Sequence, residues 1–483
     1  MSAAATLATT PAATTDHRWP YLPMPSTPSP PLTISVSCDL RLEGGPAALH
    51  DDLMQRLTFV NPKWLENDRM NRWNRGTPKV LKFYDRVKGG TRIPRGYLRQ
   101  LILQCRRDGI DYQMIDRRNR LTPVPYGFHG VLRDFQQQAV DAMLQRDFGT
   151  LCAPTGSGKT VMGLAMVAER RQPTLVVVHT RDLADQWVDR ITAFLGIPPA
   201  EIGVMGGGSK TIGDQITVAL VQTLVKCAEA LAPRVGFLIV DECHRCPSRT
   251  FTEAVTAFDC RYMLGLSATP WRRDNLSRLI FWHLGDVHHE VDKRDLVASG
   301  DILDAEVFFR ETDFSPFYNP VSEYSKMLSE LTRDDARNRM IADDVATEAA
   351  RKKGTCLVLS DRKQHCETLQ SLIRFRHHLP CELLTGDVPA AERRDVIERL
   401  GRGEVRILVA TGQLVGEGFD CPDLTTLFLA TPVKFSGRVI QYLGRVLRPA
   451  PEKRGARVFD YVDVKVDVLV SAARSRERVY GSG

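Results

Sequence analysis

The chain has 483 residues, 43% of them hydrophobic and 25% charged, a balance that excludes a disordered or fibrous protein and gives room for about three domains. No apolar run approaches the roughly 20 residues that cross a bilayer, so no membrane partner is expected. Eleven cysteines without framework spacing exclude a disulfide scaffold and point to free thiols in a reducing compartment.

Residues 1–31 are rich in Ala, Thr, Ser and Pro and carry neither a signal-peptide nor a transit-peptide pattern, so they are expected to form a disordered tail. A small domain is expected over 32–125. It opens with alternating apolar residues from Leu32 to Leu42, which predict a strand. Positive charge then gathers: residues 61–120 hold sixteen Lys or Arg against six Asp or Glu, a surplus of ten in a chain whose net charge is +7. Trp64, Trp73, Phe83, Tyr84, Tyr97 and Tyr112 lie among these cations, a mixture suited to phosphate contact with base stacking or core packing. Arg92, Arg95 and Arg99 are the candidate nucleic-acid contacts here, an assignment that rests on charge.

A second unit is expected over 126–300. Leu132 to Gln145 reads as a helix, and Gln136 on it can meet an adenine edge with two hydrogen bonds. The apolar run Gly149 to Cys152 leads into Ala153-Pro154-Thr155-Gly156-Ser157-Gly158-Lys159-Thr160, and the amphipathic stretch Val161 to Arg170 leads out. That is strand, glycine loop and helix: Pro154 to Gly158 wrap phosphate oxygens with backbone amides, Lys159 reaches the β and γ phosphates, and Thr160 holds Mg²⁺. ATP and Mg²⁺ are therefore the expected cofactors. Further buried strands follow at Thr174 to His179, Ile216 to Leu220, Phe237 to Val240 and Tyr262 to Leu266, alternating with helical segments, as in a parallel sheet covered on both faces. The third of these ends in Asp241-Glu242-Cys243-His244. An acidic pair at the C-terminal end of such a strand lies at the ligand edge, where Asp241 can hold Mg²⁺ and Glu242 can orient or deprotonate the attacking water. Ser267 and Thr269, after the next strand, are placed to sense the nucleotide state. Cys243 to Cys246 has no second Cys or His pair nearby, so zinc is not expected.

A connector is expected over 301–335 and a second strand-helix series over 336–470, followed by a tail over 471–483. Its strands are Cys356 to Leu359, Cys381 to Leu384, Ile407 to Ala410 and Leu427 to Ala430, and it carries no glycine loop with a lysine. It offers Gly418 and Asp420 after a strand ending at Thr411, and Gln441, Gly444, Arg445 and Arg448 along one side of a helix. Arginines delivered across a cleft stabilise charge on a γ-phosphate during transfer.

Taken together, these motifs resemble those of the superfamily 2 helicases over about Val131 to Asp463. Lys159 and Thr160 match motif I, Thr180-Arg181 motif Ia, Val221 to Thr223 the next contact motif, Asp241 to His244 motif II, Ser267 to Pro270 motif III, Ser360 a motif IV-like segment, Thr411 to Asp420 motif V, and Gln441 to Arg448 motif VI. The Leu132 to Gln136 segment and the Leu-Gly-Arg-Val-Leu-Arg ending are closer to the DNA-repair branch containing XPB and UvsW than to DEAD-box RNA helicases. The resemblance implies an α/β fold of two tandem RecA-like P-loop lobes, here preceded by a small α+β basic domain. It also implies nucleic-acid contacts at Arg181, Thr223 and Thr411, with His244 coupling hydrolysis to them. Asn61-Pro62-Lys63, Arg69-Met70, Thr77-Pro78 and Pro94 to Gly96 are similar to the small domain before the helicase core in bacterial and phage relatives, some of them in defence systems. After motif III, Arg272-Arg273-Asp274 resembles an Arg-Glu-Asp element of XPB-like proteins but lacks its Glu.

The expected function is an ATP-dependent DNA helicase or translocase in a repair, recombination, phage or defence setting, cytoplasmic and nucleoid-associated, acting on single-stranded or branched DNA. The alternatives are an RNA helicase with the same chemistry and a DNA-binding adaptor with a silent ATPase. Repair, phage or defence proteins are the expected partners.

Overall fold

The computed structural model describes residues 30–245, 249–268, 276–300, 302–351, 354–412, 421, 423–433, 439, 442–444, 446–447, 453 and 455–481. Among them the strands form three main sheets and one two-stranded ribbon, and no helix is long and apolar enough to cross a membrane.

The N-terminal unit contains β1 (Leu32–Val36), β2 (Asp39–Glu43), β3 (Thr58–Val60), β4 (Val80–Lys82), β5 (Asp85–Val87), β6 (Gly90–Pro94) and β7 (Tyr112–Asp116). Its sheet runs β5-β6-β2-β1-β7, while β3 and β4 pair apart from it. The single strand expected from Leu32 to Leu42 is instead the hairpin β1-β2, in which Val36 faces Leu40. The turn at Ser37-Cys38 spans two residues, so Leu32, Ile34 and Val36 keep the same parity as Leu40 and Leu42, and alternation alone cannot reveal the turn. All five are buried beneath the helices Ala47–Arg56 and Leu98–Arg107. That core continues into the next unit through Leu279 and Trp282.

The second unit contains β8 (Phe148–Cys152), β9 (Thr174–Val178), β10 (Gly203–Gly206), β11 (Ser209–Lys210), β12 (Ile216–Leu220), β13 (Phe237–Val240), β14 (Tyr262–Ser267) and β15 (Val287–Glu290), ordered β11-β10-β12-β9-β13-β14-β8-β15. From β10 to β15, leaving aside the β11 edge, each neighbour is parallel. Every residue of β9 and β13 is buried, which explains their unbroken apolar sequence: both sheet faces are covered by helices. Because the strands are parallel, the loops that follow them emerge along one edge.

The third unit contains β16 (Ala305–Thr312), β17 (Thr355–Ser360), β18 (Glu382–Leu384), β19 (Ile407–Thr411), β20 (Leu424–Leu429) and β21 (Ala456–Asp463), ordered β16-β21-β20-β17-β19-β18 with parallel pairing throughout. Two boundaries differ from expectation. The connector expected over 301–335 contributes β16, an edge strand of this sheet that pairs along its whole length with β21. The tail expected from residue 471 belongs to the helix Asp467–Gly481, whose Arg476 makes a buried two-pronged pair with Asp460 at 2.7 Å on each oxygen. Three residues further along β21, buried Arg337 donates to Asp463 at 2.8 Å and to Ala430 O at 2.6 Å, tying the helix Asp335–Ala350 to the sheet.

Candidate functional site

The sheet order of the second unit decides what meets at its edge. Reading β12-β9-β13-β14-β8, the segments that emerge are the short helix Val221–Leu224 with Thr223, then Thr180-Arg181, then Asp241 to His244, then Ser267, then the glycine loop. The phosphate-type loop and the expected nucleic-acid contacts therefore stand at the two ends of this stretch, with Asp241 to His244 and Ser267 between them.

Within the glycine loop Gly156 and Gly158 have φ of +92° and +84°, values that side-chain-bearing residues rarely adopt. Gly158 caps the helix Lys159–Arg170, so the free amides of its first turn open toward the loop, and half-buried Thr160 sits in that turn. Ser157 is buried and donates to Pro154 O at 2.7 Å. Lys159 Nζ donates to Ala153 O at 3.0 Å and Pro154 O at 3.3 Å. Thr155 Oγ1 is buried without a hydrogen-bond partner among the described residues.

Gln136 has a second task besides the one expected of it. Its Oε1 accepts from Arg133 N at 3.0 Å and its Nε2 donates to Ser157 O at 2.8 Å. The side chain is buried, and a Cβ on Gly158 would lie 2.5 Å from its Nε2. Each end of the amide thus bonds to backbone, and Gln136 braces the glycine loop, with one N–H and one lone pair left over.

Asp241 is buried at the end of β13 and accepts from Trp187 Nε1 at 2.8 Å and from Glu242 N at 2.9 Å. Burial raises its carboxyl above the usual carboxylate range, with the neighbouring Glu242 charge adding to the rise; the Trp187 bond and the Lys159 charge oppose it. Glu242 has φ +48°, an uncommon conformation for its residue type and one that turns the chain sharply after the strand. His244 Nδ1 lies 3.1 Å from Glu242 Oε2 and 3.1 Å from Ser267 Oγ. One ring nitrogen thus touches both the acidic pair and the end of β14.

The third unit closes the site from the other side. A cavity of about 500 Å³ is lined by Cys152, Pro154, Thr155, Glu290, Leu443 and Gly444, among others. A Cβ on Gly444 would lie 2.1 Å from Thr155 Cβ, so glycine is required for this approach. Leu303 N donates to Leu447 O at 2.8 Å, and Tyr442 OH donates to Gly412 O at 3.1 Å, just beyond half-buried Thr411 at the end of β19. Thr269, Gly418, Asp420, Gln441, Arg445 and Arg448, together with Arg272 to Asp274, lie outside the described residues. A larger and more open hollow of about 610 Å³ around Phe314, Tyr318 and Arg333 carries no motif residue.

The expected nucleic-acid contacts are divided by the structure. Arg181 is exposed at the start of the helix Arg181–Leu195, paired with Asp185 and donating to Gly206 O at 3.1 Å; Thr223 is half-buried. Arg95 is a correction: it is 2% exposed and donates to Ser37 O at 3.1 Å and Cys260 O at 2.7 Å, locking the N-terminal unit to the second. Arg92 is paired with Asp85 at 2.6 Å and Arg99 with Asp286 at 3.1 Å, so the charge of both is matched within the chain. Sequence reasoning missed Trp187, which reads only as an apolar helix position, and Glu290 at the end of β15 with Lys293 and Arg294 just beyond it, which line the cavity without any motif signal.

Two family models match the chain: the type III restriction enzyme res subunit over residues 129–272 and the helicase conserved C-terminal domain over residues 338–450. The chain is 28% identical over 349 residues to the DNA 3'-5' translocase XPB2 of Sulfurisphaera tokodaii, covering 66% of this chain and 78% of that protein. It is 25% identical over 370 residues to the putative ATP-dependent RNA helicase L396 of Acanthamoeba polyphaga mimivirus, covering 73% and 68% respectively. Among solved structures it is similar in fold to S. cerevisiae Dbp5 bound to RNA and ADP BeF3, with a TM-score of 0.53 and 14% identity, covering 72% of this chain and 88% of that one.

Proposed function

The chain belongs to the superfamily 2 helicases, near their XPB branch, and from this premise we propose that it hydrolyses ATP to move along or remodel DNA. The observation that carries the reading is the Glu242, His244 and Ser267 cluster, which stands between the glycine loop and the strand ends bearing Arg181 and Thr223. A change at the nucleotide has a short physical route to the nucleic-acid side.

In this reading Pro154 to Gly158 wrap the triphosphate with backbone amides, and Lys159 leaves its carbonyl partners to neutralise the β and γ phosphates. Thr160 and Asp241 offer the hydroxyl and carboxylate oxygens that suit Mg²⁺, Asp241 from its buried place at the end of β13. When bound, Mg²⁺ supplies charge neutralisation at the phosphates. Glu242 orients the attacking water and takes its proton. The roles assigned to Gln441, Arg445 and Arg448 are contacts with the γ-phosphate, and those assigned to Gly418 and Asp420 are contacts with the nucleotide. Arg181, Thr223 and Thr411 track one strand, while His244, Ser267 and Thr269 couple the two events. The units divide as a basic domain over 32–125 and two lobes, the second extended by β16 and by the helix Asp467–Gly481.

DNA is favoured over RNA by the Sulfurisphaera tokodaii translocase, although the mimivirus relative is named as an RNA helicase. Such a substrate places the protein with the nucleoid, among repair, phage or defence proteins. The test is a fluorescent strand-displacement assay on forked and four-way DNA and on matched RNAs. ATP-dependent displacement or branch movement on DNA supports the proposal; activity confined to RNA reverses the substrate.

A further inference from the structure

The basic surplus of the N-terminal unit is not uniform once its partners are known. Arg41, Arg56, Arg92, Arg99, Arg107 and Arg118 are each paired with a carboxylate of the same chain. Arg86, Lys88, Arg106, Arg117 and Arg120 are also exposed and without an ion pair among the described residues, but they are spread over three other segments, whereas the finger formed by β3, the helix Pro62–Arg69 and β4 gathers six such cations. Its cations Lys63, Arg69, Arg72, Arg75, Lys79 and Lys82 are all exposed and make no ion pair among the described residues, and its acidic residues are only Glu66 and Asp68. Trp73 stands at its end, 87% exposed. A tryptophan so exposed among unmatched cations is unusual for a surface that serves only solubility.

The finger is built to hold that ring outward. Asn61 caps the helix by accepting from Lys63 N at 3.0 Å and donates to Pro78 O at 2.9 Å across the ribbon. Asn67 donates to Asn74 Oδ1 at 3.1 Å, and Asn74 donates to Trp64 O at 3.3 Å, closing the loop on either side of Trp73. Asn71 takes a left-handed φ of +49° to make the corner. Lys79 Nζ covers the Trp64 ring at 4.9 Å, so that ring is used internally. At its base Phe59 stacks on Phe83 at 5.6 Å and meets Trp282 of the helix Ser277–Leu284 at 5.9 Å. The base of the finger is therefore packed against the second unit.

We infer that this finger binds a single strand of nucleic acid, Trp73 stacking on an unpaired base while Arg72, Arg75 and their neighbours meet phosphates. Stacking on an open ring needs a base face that a continuous duplex hides, and unmatched cations provide the phosphate contacts. The assignment rests on the nucleic-acid reading above and replaces Arg92, Arg95 and Arg99 as the contact surface of this domain.

The test uses the full chain and a fluorescein-labelled oligothymidylate, with anisotropy measured across a salt series for the parent, Trp73→Ala, Trp73→Phe and Arg72→Ala/Arg75→Ala. Trp73→Ala weakens binding about tenfold with little change of salt slope, and Trp73→Phe restores part of the loss. The double arginine variant lowers the slope by about 0.7 per lost phosphate contact. Parent-like affinity and slope in all three variants, to within about twofold in affinity at each salt concentration, would overturn the finger assignment alone. Failure of the parent to bind would overturn the nucleic-acid reading with it. Loss of self-association in Trp73→Ala, seen by sedimentation with oligonucleotide binding intact, would assign the finger to a protein interface instead.

Discussion

Ser267 Oγ and His244 Nδ1 meet at 3.1 Å across the ends of the neighbouring strands β14 and β13. The same ring nitrogen lies 3.1 Å from Glu242 Oε2. Removing the Ser267 hydroxyl takes from the imidazole its link to the end of β14. Losing one such bond costs about 1 kcal/mol, so Ser267→Ala is expected to lower the ratio of DNA-stimulated to unstimulated ATP turnover about fivefold. An unchanged ratio would remove Ser267 from the coupling route.

Gln136 spans Arg133 N and Ser157 O and so holds the glycine loop to the helix Asp134–Leu144. Gln136→Ala leaves the buried Ser157 carbonyl without its donor, at a cost of about 1–3 kcal/mol in loop order. ATP affinity, measured with a fluorescent analogue, is expected to fall roughly five- to a hundredfold, and adenine-free triphosphate should lose as much as ATP. A loss confined to adenine nucleotides would leave Gln136 with base recognition alone.

Arg95 is a buried lock, not a phosphate contact. Arg95→Ala strands the carbonyls of Ser37 and Cys260 and leaves a void beside Phe148, whose ring lies 5.5 Å from the guanidinium. A destabilisation of about 2–4 kcal/mol is expected, visible as an earlier unfolding transition in calorimetry. The salt slope of DNA binding should remain that of the parent; a flatter slope would restore Arg95 as a phosphate contact.

His283 packs beside Phe83 at the same junction, and its Nε2 has no hydrogen-bond partner among the described residues. Burial lowers its pKa to about 4. Below the ordinary pKa near 6.5 the unfolded chain gains a proton that the folded chain refuses, so stability falls as pH drops from about 6.5 to about 4 and levels off below. The contribution is on the order of 3 kcal/mol. Denaturant midpoints of His283→Phe should depend less on pH across this window than those of the parent; identical profiles would contradict the assignment.

The motifs were legible because each joins a continuous apolar strand to residues whose chemistry is local: the glycine loop after β8 and the acidic pair after β13 need no distant partner to be read. Arg95 was not, since nothing local separates it from exposed Arg92 and Arg99; only the approach of Cys260 from another unit does so. The place of β16 escaped for the same reason, because its partner β21 lies about 150 residues later in sequence. Trp187 looked like any apolar helix residue, and its indole N–H bond to Asp241 appears only when β9 and β13 are set side by side.

The most direct measurement is steady-state ATP turnover of the full chain with and without single-stranded DNA, in the parent and in Glu242→Gln. The account predicts turnover stimulated by DNA in the parent and, in the variant, a loss of at least about a hundredfold, the low end of what a general base contributes, with ATP and DNA still bound. DNA-stimulated turnover by Glu242→Gln at a rate near that of the parent would contradict it.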